Sequence, residues 1–157
     1  MNIVPEIDVP AHSLAFTKVR PDLALGTVGR QIDHLDVTNP EALQFVKDLF
    51  DEYILGDDPV FDADTIVHIG TDEYSTAYSE QFLQFTDDLL EFIQGRDRQV
   101  RLWGRLSHFN DEVDVRSENV QMNMWNAGWA NPTDMFNRGF DMINMNDGTL
   151  YIVPDAG

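Results

Sequence analysis

Five short apolar runs are the feature that most constrains how this chain can fold. They lie at residues 2–8, 65–70, 99–103, 120–125 and 141–146, and a sixth run, LYIV, follows at 150–153. The runs are continuous rather than alternating in polarity, which is typical of strands that are covered on both faces. They therefore predict a sheet of buried strands.

The spacing of apolar residues between these runs predicts three helices. Asn39 and Pro40 mark the first, because asparagine is a good N-cap and proline fits the first helical position. Its apolar residues recur at spacings of three and four, at Leu43, Val46, Phe50 and Tyr53. The second helix is predicted at 79–94, where it ends before Gly95 and carries a stripe of Phe82, Phe85, Leu89 and Phe92. The Asn-Pro pair recurs at 131–132 and predicts a third, shorter helix.

The order of these elements indicates an α/β fold. Strand, helix, strand, helix, strand, strand, helix, strand implies right-handed crossovers and a parallel sheet. Long polar loops at 9–38 and 106–119 follow strand ends, and the carboxyl ends of parallel strands are where such folds place their chemistry. No repeat or linker divides the sequence, so residues 1–157 are predicted to form a single unit.

Charge and composition exclude several classes of partner. The chain has 28 acidic residues against 10 Lys and Arg, a net charge of −18, which repels nucleic-acid backbones and anionic membrane surfaces. It has no cysteine, so disulfides, thiolate zinc sites and cysteine nucleophiles are excluded. No apolar run approaches the ~20 residues that a membrane-spanning helix needs. We therefore expect neither a nucleic-acid nor a membrane partner.

Polar and aromatic side chains gather at the ends of the predicted strands. They are Glu6, Asp8, His12, Asp72, Glu73, Tyr74, Trp103, Trp125, Asn146, Asp147 and Tyr151. Aromatic faces stack on the apolar C–H face of a pyranose, and carboxylates transfer protons and stabilise charge. Carboxylates among indole and phenol rings are therefore what a sugar-cleaving site requires.

Each of these residues also has a simpler interpretation. Asp72 and Glu73 could be a polar strand end or the start of a helix, where acids favour the helix dipole. His12 could be a packed loop histidine, and Trp103 and Trp125 could fill the core. It is their joint position at one rim of the sheet that favours function.

Other reaction classes lack their motifs. The sequence has no His-x-His or His-Glu-x-x-His and only four histidines, which disfavours a catalytic metal. It also lacks a Gly-x-Ser-x-Gly elbow and a glycine-rich phosphate loop. We therefore expect no metal and no cofactor.

The motif PEIDVPAH, followed by HIGTDEY, Trp103, MNMW and LYIVP, resembles glycoside hydrolase family 20, the β-N-acetylhexosaminidases and lacto-N-biosidases. The resemblance implies a retaining, substrate-assisted mechanism, in which the substrate's own 2-acetamido oxygen attacks C1. Asp72 then matches the residue that orients the acetamido group, and Glu73 matches the general acid and base. The resemblance implies substrate-binding roles for the remaining matches: His12 beside the general acid, Tyr151 on the acetamido oxygen, Trp103 and Trp125 as pocket walls, and Asp8 in support.

The sequence departs from the family pattern at three places. Gly-Gly-Asp-Glu is here Gly-Thr-Asp-Glu at 70–73, and Pro-Gly-His is Pro-Ala-His at 10–12. Both changes are small, and together with the stretch NMNDGTLYIVP they resemble the lacto-N-biosidase branch more than the common hexosaminidases. The family's Tyr-x-Asp is replaced by Tyr-Ile-Val at 151–153, so its sugar-binding aspartate is missing there, and Asp147 or Asp155 is the candidate replacement.

The resemblance also implies a partial (β/α)8 barrel, about strands 3 to 7 of the catalytic domain, because a full barrel needs eight strands and typically about 250 residues. We therefore expect the isolated chain to be inactive and to self-associate through exposed barrel edges, or to be part of a longer chain. The expected partner is a glycan that contains N-acetylhexosamine, and the parent protein is expected to be extracellular or on the cell surface. The alternative hypothesis is a non-catalytic carbohydrate-binding fragment.

Overall fold

The computed structural model describes residues 3–109 and 113–150 and contains one parallel sheet. The strands are β1 Glu6–Val9, β2 Val67–Gly70, β3 Val100–Trp103, β4 Val120–Met124 and β5 Asp141–Asn144. Their order in the sheet, β1-β2-β3-β4-β5, is their order in the chain, so every new strand joins the same edge. A doubly wound sheet would instead reverse its direction at a switch point. The predicted α/β class is confirmed, and the order is that of a wall of a strand–helix barrel.

The three inner strands of the sheet are more buried than the two edge strands. All four residues of β2 are buried, as are four of the five in β4. In β5 none is buried, so the prediction of strands covered on both faces is wrong there. Among the described residues β5 pairs only with β4, and its other edge has no neighbouring strand. The predicted run at 150–153 lies almost entirely outside the described residues.

Four α-helices accompany the sheet: α1 Leu14–Val19, α2 Pro40–Phe50, α3 Ser79–Gln94 and α4 Pro132–Asn137. The predicted Asn-Pro starts are confirmed, since the Asn39 side chain accepts a hydrogen bond from the Glu41 amide and that of Asn131 from the Thr133 amide. Helix α1 lies within a segment predicted to be loop. It has six residues and buries only Thr17, which is too little for a recognisable apolar stripe. No helix in the described parts of the chain is long and apolar enough to cross a membrane.

One predicted core residue is on the surface instead. The chain leaves α2 through a single π-helical turn, Asp51–Leu55, which shifts the positions that face the core. Ile54 is therefore buried, whereas Tyr53 is 47% exposed. The predicted stripe is correct up to Phe50 and wrong at Tyr53.

The segment after β1 is held over the end of β2 by hydrogen bonds. The Leu35 amide donates to the Pro10 carbonyl at 2.7 Å, and the Thr17 hydroxyl donates to the Ile32 carbonyl at 2.5 Å. Tyr74, just past the end of β2, donates from its hydroxyl to the Leu35 carbonyl at 2.8 Å. These bonds fix the position of His12 relative to the acids that follow β2.

Candidate active site

The chain takes an unusual path where β2 ends. Gly70, Thr71 and Glu73 all have positive φ, at 72°, 76° and 46°. Glycine adopts this conformation freely, but it is strained for a β-branched threonine. A Cβ atom on Gly70 would lie 1.8 Å from Asp8 Oδ1, so only glycine lets the Asp8 carboxyl approach this closely. This backbone places Asp72 and Glu73 beside Asp8.

A cavity of about 580 Å³ lies at the carboxyl ends of the strands. Its lining comprises Glu6, Asp8, His12, Asp72, Glu73, Trp103 and Trp125. The structure therefore brings together most of the residues predicted from the sequence, including both predicted catalytic acids. Tyr151 lies outside the described residues. Asp147 is absent from this lining and instead accepts a hydrogen bond from the Asn126 side chain at 2.8 Å.

His12 contacts both predicted catalytic residues. Its Nε2 atom lies 3.3 Å from Asp72 Oδ1 and 3.7 Å from Glu73 Oε2. The side chain of His12 is 45% exposed, whereas those of Asp72 and Glu73 are 17% and 29% exposed. The imidazole therefore covers the acids from the solvent side and can exchange a proton or share charge with either.

Burial and mutual repulsion raise the pKa values of the acids at the base of the cavity. Desolvation, followed by the nearby Asp72 charge, raises the pKa of Asp8 to about 8. Desolvation is also the largest cause that raises the pKa of Asp72, partly opposed by His12. The Oδ1 atoms of Asp8 and Asp72 are buried and have no hydrogen-bond partner among the described residues. Such acceptors are costly unless a ligand or water satisfies them.

Trp103 is oriented by a neighbouring acid and a buried histidine. Its Nε1 donates a hydrogen bond to Glu6 Oε1 at 2.7 Å, and its ring centre lies 4.9 Å from that of His68. Burial lowers the pKa of His68 to about 4, so the ring is neutral at pH 7. His68 Nδ1 lies 3.1 Å from the Gly70 amide nitrogen and 3.2 Å from Glu6 Oε1, and its Nε2 lies 3.1 Å from the Asn123 side-chain nitrogen.

The other tryptophan wall belongs to an aromatic pair. Trp125 Nε1 donates to the Gly104 carbonyl at 3.1 Å, which fixes the ring at the cavity edge. Its ring stacks on that of Trp129, with centres 5.6 Å apart and planes inclined by 29°. The sequence-based prediction placed Glu6 among the side chains at the strand ends without an individual role, and it gave no role to His68, Trp129 or Arg105. Trp129 and Arg105 lie in loops without a recognisable pattern.

Asp8, His12 and Asp72 are the described residues whose grouping could hold a cation. One potential ligand atom from each lies within 4.8 Å of the others. Clusters of this kind are common without an ion in acidic sites, and only two of the three ligands are carboxylates. The expectation that no metal takes part stays a prediction.

Sequence comparison identifies the family of the chain. The family model of the glycosyl hydrolase family 20 catalytic domain matches residues 1–84, a range that includes Glu6, Asp8, His12, Asp72 and Glu73. The chain belongs to glycosyl hydrolase family 20. Its curated relatives include a lacto-N-biosidase from Bifidobacterium bifidum, 26% identical over 92% of this chain, and a beta-hexosaminidase from Emericella nidulans, 23% identical over 97%. The chain spans only 15% and 30% of the lengths of these two relatives.

Solved structures of family 20 proteins share the fold. The pneumococcal virulence factor StrH superposes with a TM-score of 0.78 at 21% identity, over 92% of this chain and 40% of that one. A beta-N-acetylhexosaminidase from Bacteroides fragilis gives 0.69 at 21% identity, over 91% of this chain and 31% of that one. The five parallel strands therefore form part of an α/β barrel, as predicted.

Proposed function

We propose that these residues form the catalytic centre of a retaining β-N-acetylhexosaminidase-type glycosidase, which releases N-acetylhexosamine or lacto-N-biose from glycans. The observation that best supports this is the pair Asp72 and Glu73. Asp72 Oδ1 is buried and makes no hydrogen bond among the described residues, although His12 Nε2 lies 3.3 Å away, and the next residue is a second carboxyl group beside the same histidine. An acetamido N–H on the substrate is a donor that could make this hydrogen bond.

In the proposed first step, the acetamido carbonyl oxygen bonds to C1 while the bond from C1 to the glycosidic oxygen breaks. Glu73 gives its proton to that departing oxygen, and Asp72 accepts a hydrogen bond from the acetamido nitrogen as positive charge develops there. In the second step, water bonds to C1, the acetamido oxygen leaves, and Glu73 takes back a proton. Two displacements at C1 retain its configuration, so no protein nucleophile is required.

The walls of the cavity support the proposed substrate class, as its acids do. Trp103 and Trp125 line the cavity with indole rings, which suit the apolar faces of a sugar and an acetamido methyl group. The curated relatives named above are a lacto-N-biosidase and a beta-hexosaminidase, which supports an N-acetylhexosamine-containing glycan as the partner.

Glu73→Gln, measured in the full-length gene product with an aryl N-acetyl-β-glycoside, tests the acid role. We expect turnover to fall on the order of 10²-fold or more, because proton transfer to the leaving oxygen is lost. Glu80→Gln changes an exposed acid in the first turn of α3 and serves as the matched control, with turnover unchanged. Near-normal turnover in Glu73→Gln would remove Glu73 from this role.

A second experiment tests the acetamido nucleophile and the alternative of simple binding. A substrate with a hydroxyl in place of its acetamido group should be nearly inert, and a thiazoline mimic of the cyclic intermediate should bind far more tightly than substrate. Equal cleavage of both substrates would contradict the substrate-assisted mechanism. If the glycan binds, is not cleaved, and binds unchanged to Glu73→Gln, the protein is a carbohydrate-binding module.

A further inference from the structure

Arg105 reaches from the loop after β3 to the turn that carries the two acids. It lies just past the end of that strand, and its Nη2 donates a hydrogen bond to the Tyr74 carbonyl at 2.8 Å. Tyr74 is the residue after Glu73. Earlier in the same turn, the Thr71 amide donates to the Val9 carbonyl at 3.0 Å. The two acids that follow β2 are therefore tied to β1 on one side and to Arg105 on the other.

The tie to Arg105 matters because the backbone at Glu73 is strained. Glu73 has a φ of 46°, a conformation that a residue other than glycine keeps only where surrounding contacts enforce it. The ring of Tyr74 stacks on that of Phe82 with centres 5.4 Å apart, and its hydroxyl donates to the Leu35 carbonyl. These two contacts fix the side chain of Tyr74. The bond from Arg105 fixes its main chain, which sets the direction of the adjoining Glu73.

The guanidinium of Arg105 is itself held in place. Its carbon lies 4.2 Å from the ring centre of Trp129 and 4.7 Å from that of Phe109, and the residue is 5% exposed. Nε and Nη1 are buried and make no hydrogen bond among the described residues. Buried donors without partners are costly, so an arginine is a poor choice at this position for stability alone. Its retention points to a role in the site.

Arg105 also brings a positive charge to the acids. Burial lowers the pKa of Arg105 to about 10, and attraction to the charges of Glu73 and Asp72 opposes this decrease, so the guanidinium is charged at pH 7. When Glu73 gives its proton to a leaving oxygen, it becomes a carboxylate in a partly buried position. A cation nearby favours that form, and a cation that is already ordered needs no reorganisation during the reaction.

We propose that Arg105 is a positioning residue for proton transfer by Glu73: its hydrogen bond to the Tyr74 carbonyl holds the turn, and its charge stabilises the carboxylate that Glu73 becomes. This inference rests on the proposed function, because it needs Glu73 as the general acid. Arg105 acts through the backbone and through charge, without contact with the substrate. Its loss should therefore impair proton donation rather than binding of the sugar.

Two aryl glycosides of the same N-acetylated sugar test this role. A dinitrophenyl leaving group departs as a stable anion and needs little protonation, whereas an unsubstituted phenyl group depends much more on the acid. For Arg105→Met in the full-length gene product, the ratio of kcat/KM for the phenyl glycoside to that for the dinitrophenyl glycoside should fall about 10-fold or more. A loss of folded protein would lower both values equally, so an unchanged ratio overturns the inference.

Phe109→Leu covers the case in which Arg105→Met does not fold. It removes one of the two rings that hold the guanidinium, so the same ratio should fall about threefold. Phe92→Leu is the matched control, because Phe92 also packs on a guanidinium, that of Arg96 at 3.7 Å, but lies in the last turn of α3, at the opposite end of that helix from the acids. It should leave the ratio unchanged. An unchanged ratio in Phe109→Leu, or an equal fall in both variants, overturns the inference.

Glu73→Gln separates a failure of this inference from a failure of the proposed function. It should lower the same ratio more than Arg105→Met does, because it removes the proton itself. If Glu73→Gln lowers the ratio but neither Arg105→Met nor Phe109→Leu does, Glu73 is the acid and the inference about Arg105 is wrong. If the unmodified protein cleaves neither substrate, the proposed function itself fails.

Discussion

The carboxyl end of β2 and the carboxyl ends of β3 and β4 contribute to the same cavity by different physical means. At the end of β2, three of four successive residues have positive φ, and two carboxyl groups follow in partly buried positions. At the ends of β3 and β4, Trp103 and Trp125 are not among the described residues with positive φ, and each indole donates one hydrogen bond. The two acids proposed to act on the substrate therefore lie in strained backbone, whereas the two tryptophans proposed to recognise the shape of the sugar lie in backbone without positive φ.

The largest expected difference is in the free energy of unfolding after a glycine-to-alanine change at the end of β2 or at the end of β3. Gly70→Ala should lower the free energy of unfolding by about 3 kcal/mol or more, because the new Cβ would meet Asp8 in a strained backbone region. Gly104→Ala, after β3, meets the Ala130 methyl group at 2.7 Å without positive φ and should cost about 1–2 kcal/mol. Urea unfolding measures both. Equal losses would contradict the comparison.

Asp72→Asn should have the next largest effect. An asparagine can present its amide group to the acetamido nitrogen and misplace the nucleophile, so turnover should fall on the order of 10²-fold. Turnover of an aryl N-acetyl-β-glycoside is the measurement, with the exposed Asp58→Asn as control. A loss of turnover below about threefold would show that Asp72 does not position the acetamido group that is the proposed nucleophile.

Trp103→Phe should be milder, since it keeps the aromatic wall and removes only the hydrogen bond to Glu6. KM should rise about 3- to 10-fold with a smaller change in kcat, because a binding contact is loosened. Steady-state kinetics on the same substrate provide both values. A fall in kcat as large as that of Asp72→Asn would show that the tryptophan wall takes part in the chemistry and would break the comparison.

The last prediction concerns the dependence of stability on pH. Because the folded-state pKa of Asp8 is raised from 3.8 to about 8, the folded state holds a proton that the unfolded state loses above about pH 4. The contribution to stability is therefore complete below pH 4 and is lost as pH rises towards 8, and the raised pKa of Asp72 acts in the same direction. Asp8→Asn should reduce this decline, as measured by urea unfolding at pH 5 and pH 8. An unchanged decline would show that Asp8 ionises normally.

Sequence reasoning predicted the fold through patterns that are local. Strand runs and Asn-Pro helix starts need only neighbouring residues; five of the six runs overlap a strand of the structure, and both Asn-Pro starts are confirmed, while the run at 150–153 stays a prediction. The prediction that Tyr53 faces the core was wrong, because a π-helical turn shifts which positions of the helix face the core. No pattern in the sequence marks that turn. The exposure of β5 could not be predicted either, because an edge strand and a central strand can have similar runs of apolar residues in the sequence.

The site was predictable where motifs are contiguous, as for Asp72 and Glu73. Arg105 could not be found in this way, because its significance depends on two aromatic rings, one of them contributed by Trp129 from another loop. A second cavity of about 450 Å³, which Glu73 also lines, is likewise formed by four separate segments of the chain. No single stretch of sequence contains the information that they meet.

On the proposed mechanism, the position of Glu73, which lines both the first cavity and the second, also sets the order of events within one catalytic cycle. After the first half of the reaction, the leaving group must vacate the space beside Glu73 before water can reach C1 from the side on which Glu73 can deprotonate it. Any hydroxyl compound that enters this space first meets the same base and the same carbon. How quickly the space empties and refills would therefore govern the competition between hydrolysis and transfer of the sugar to a new acceptor.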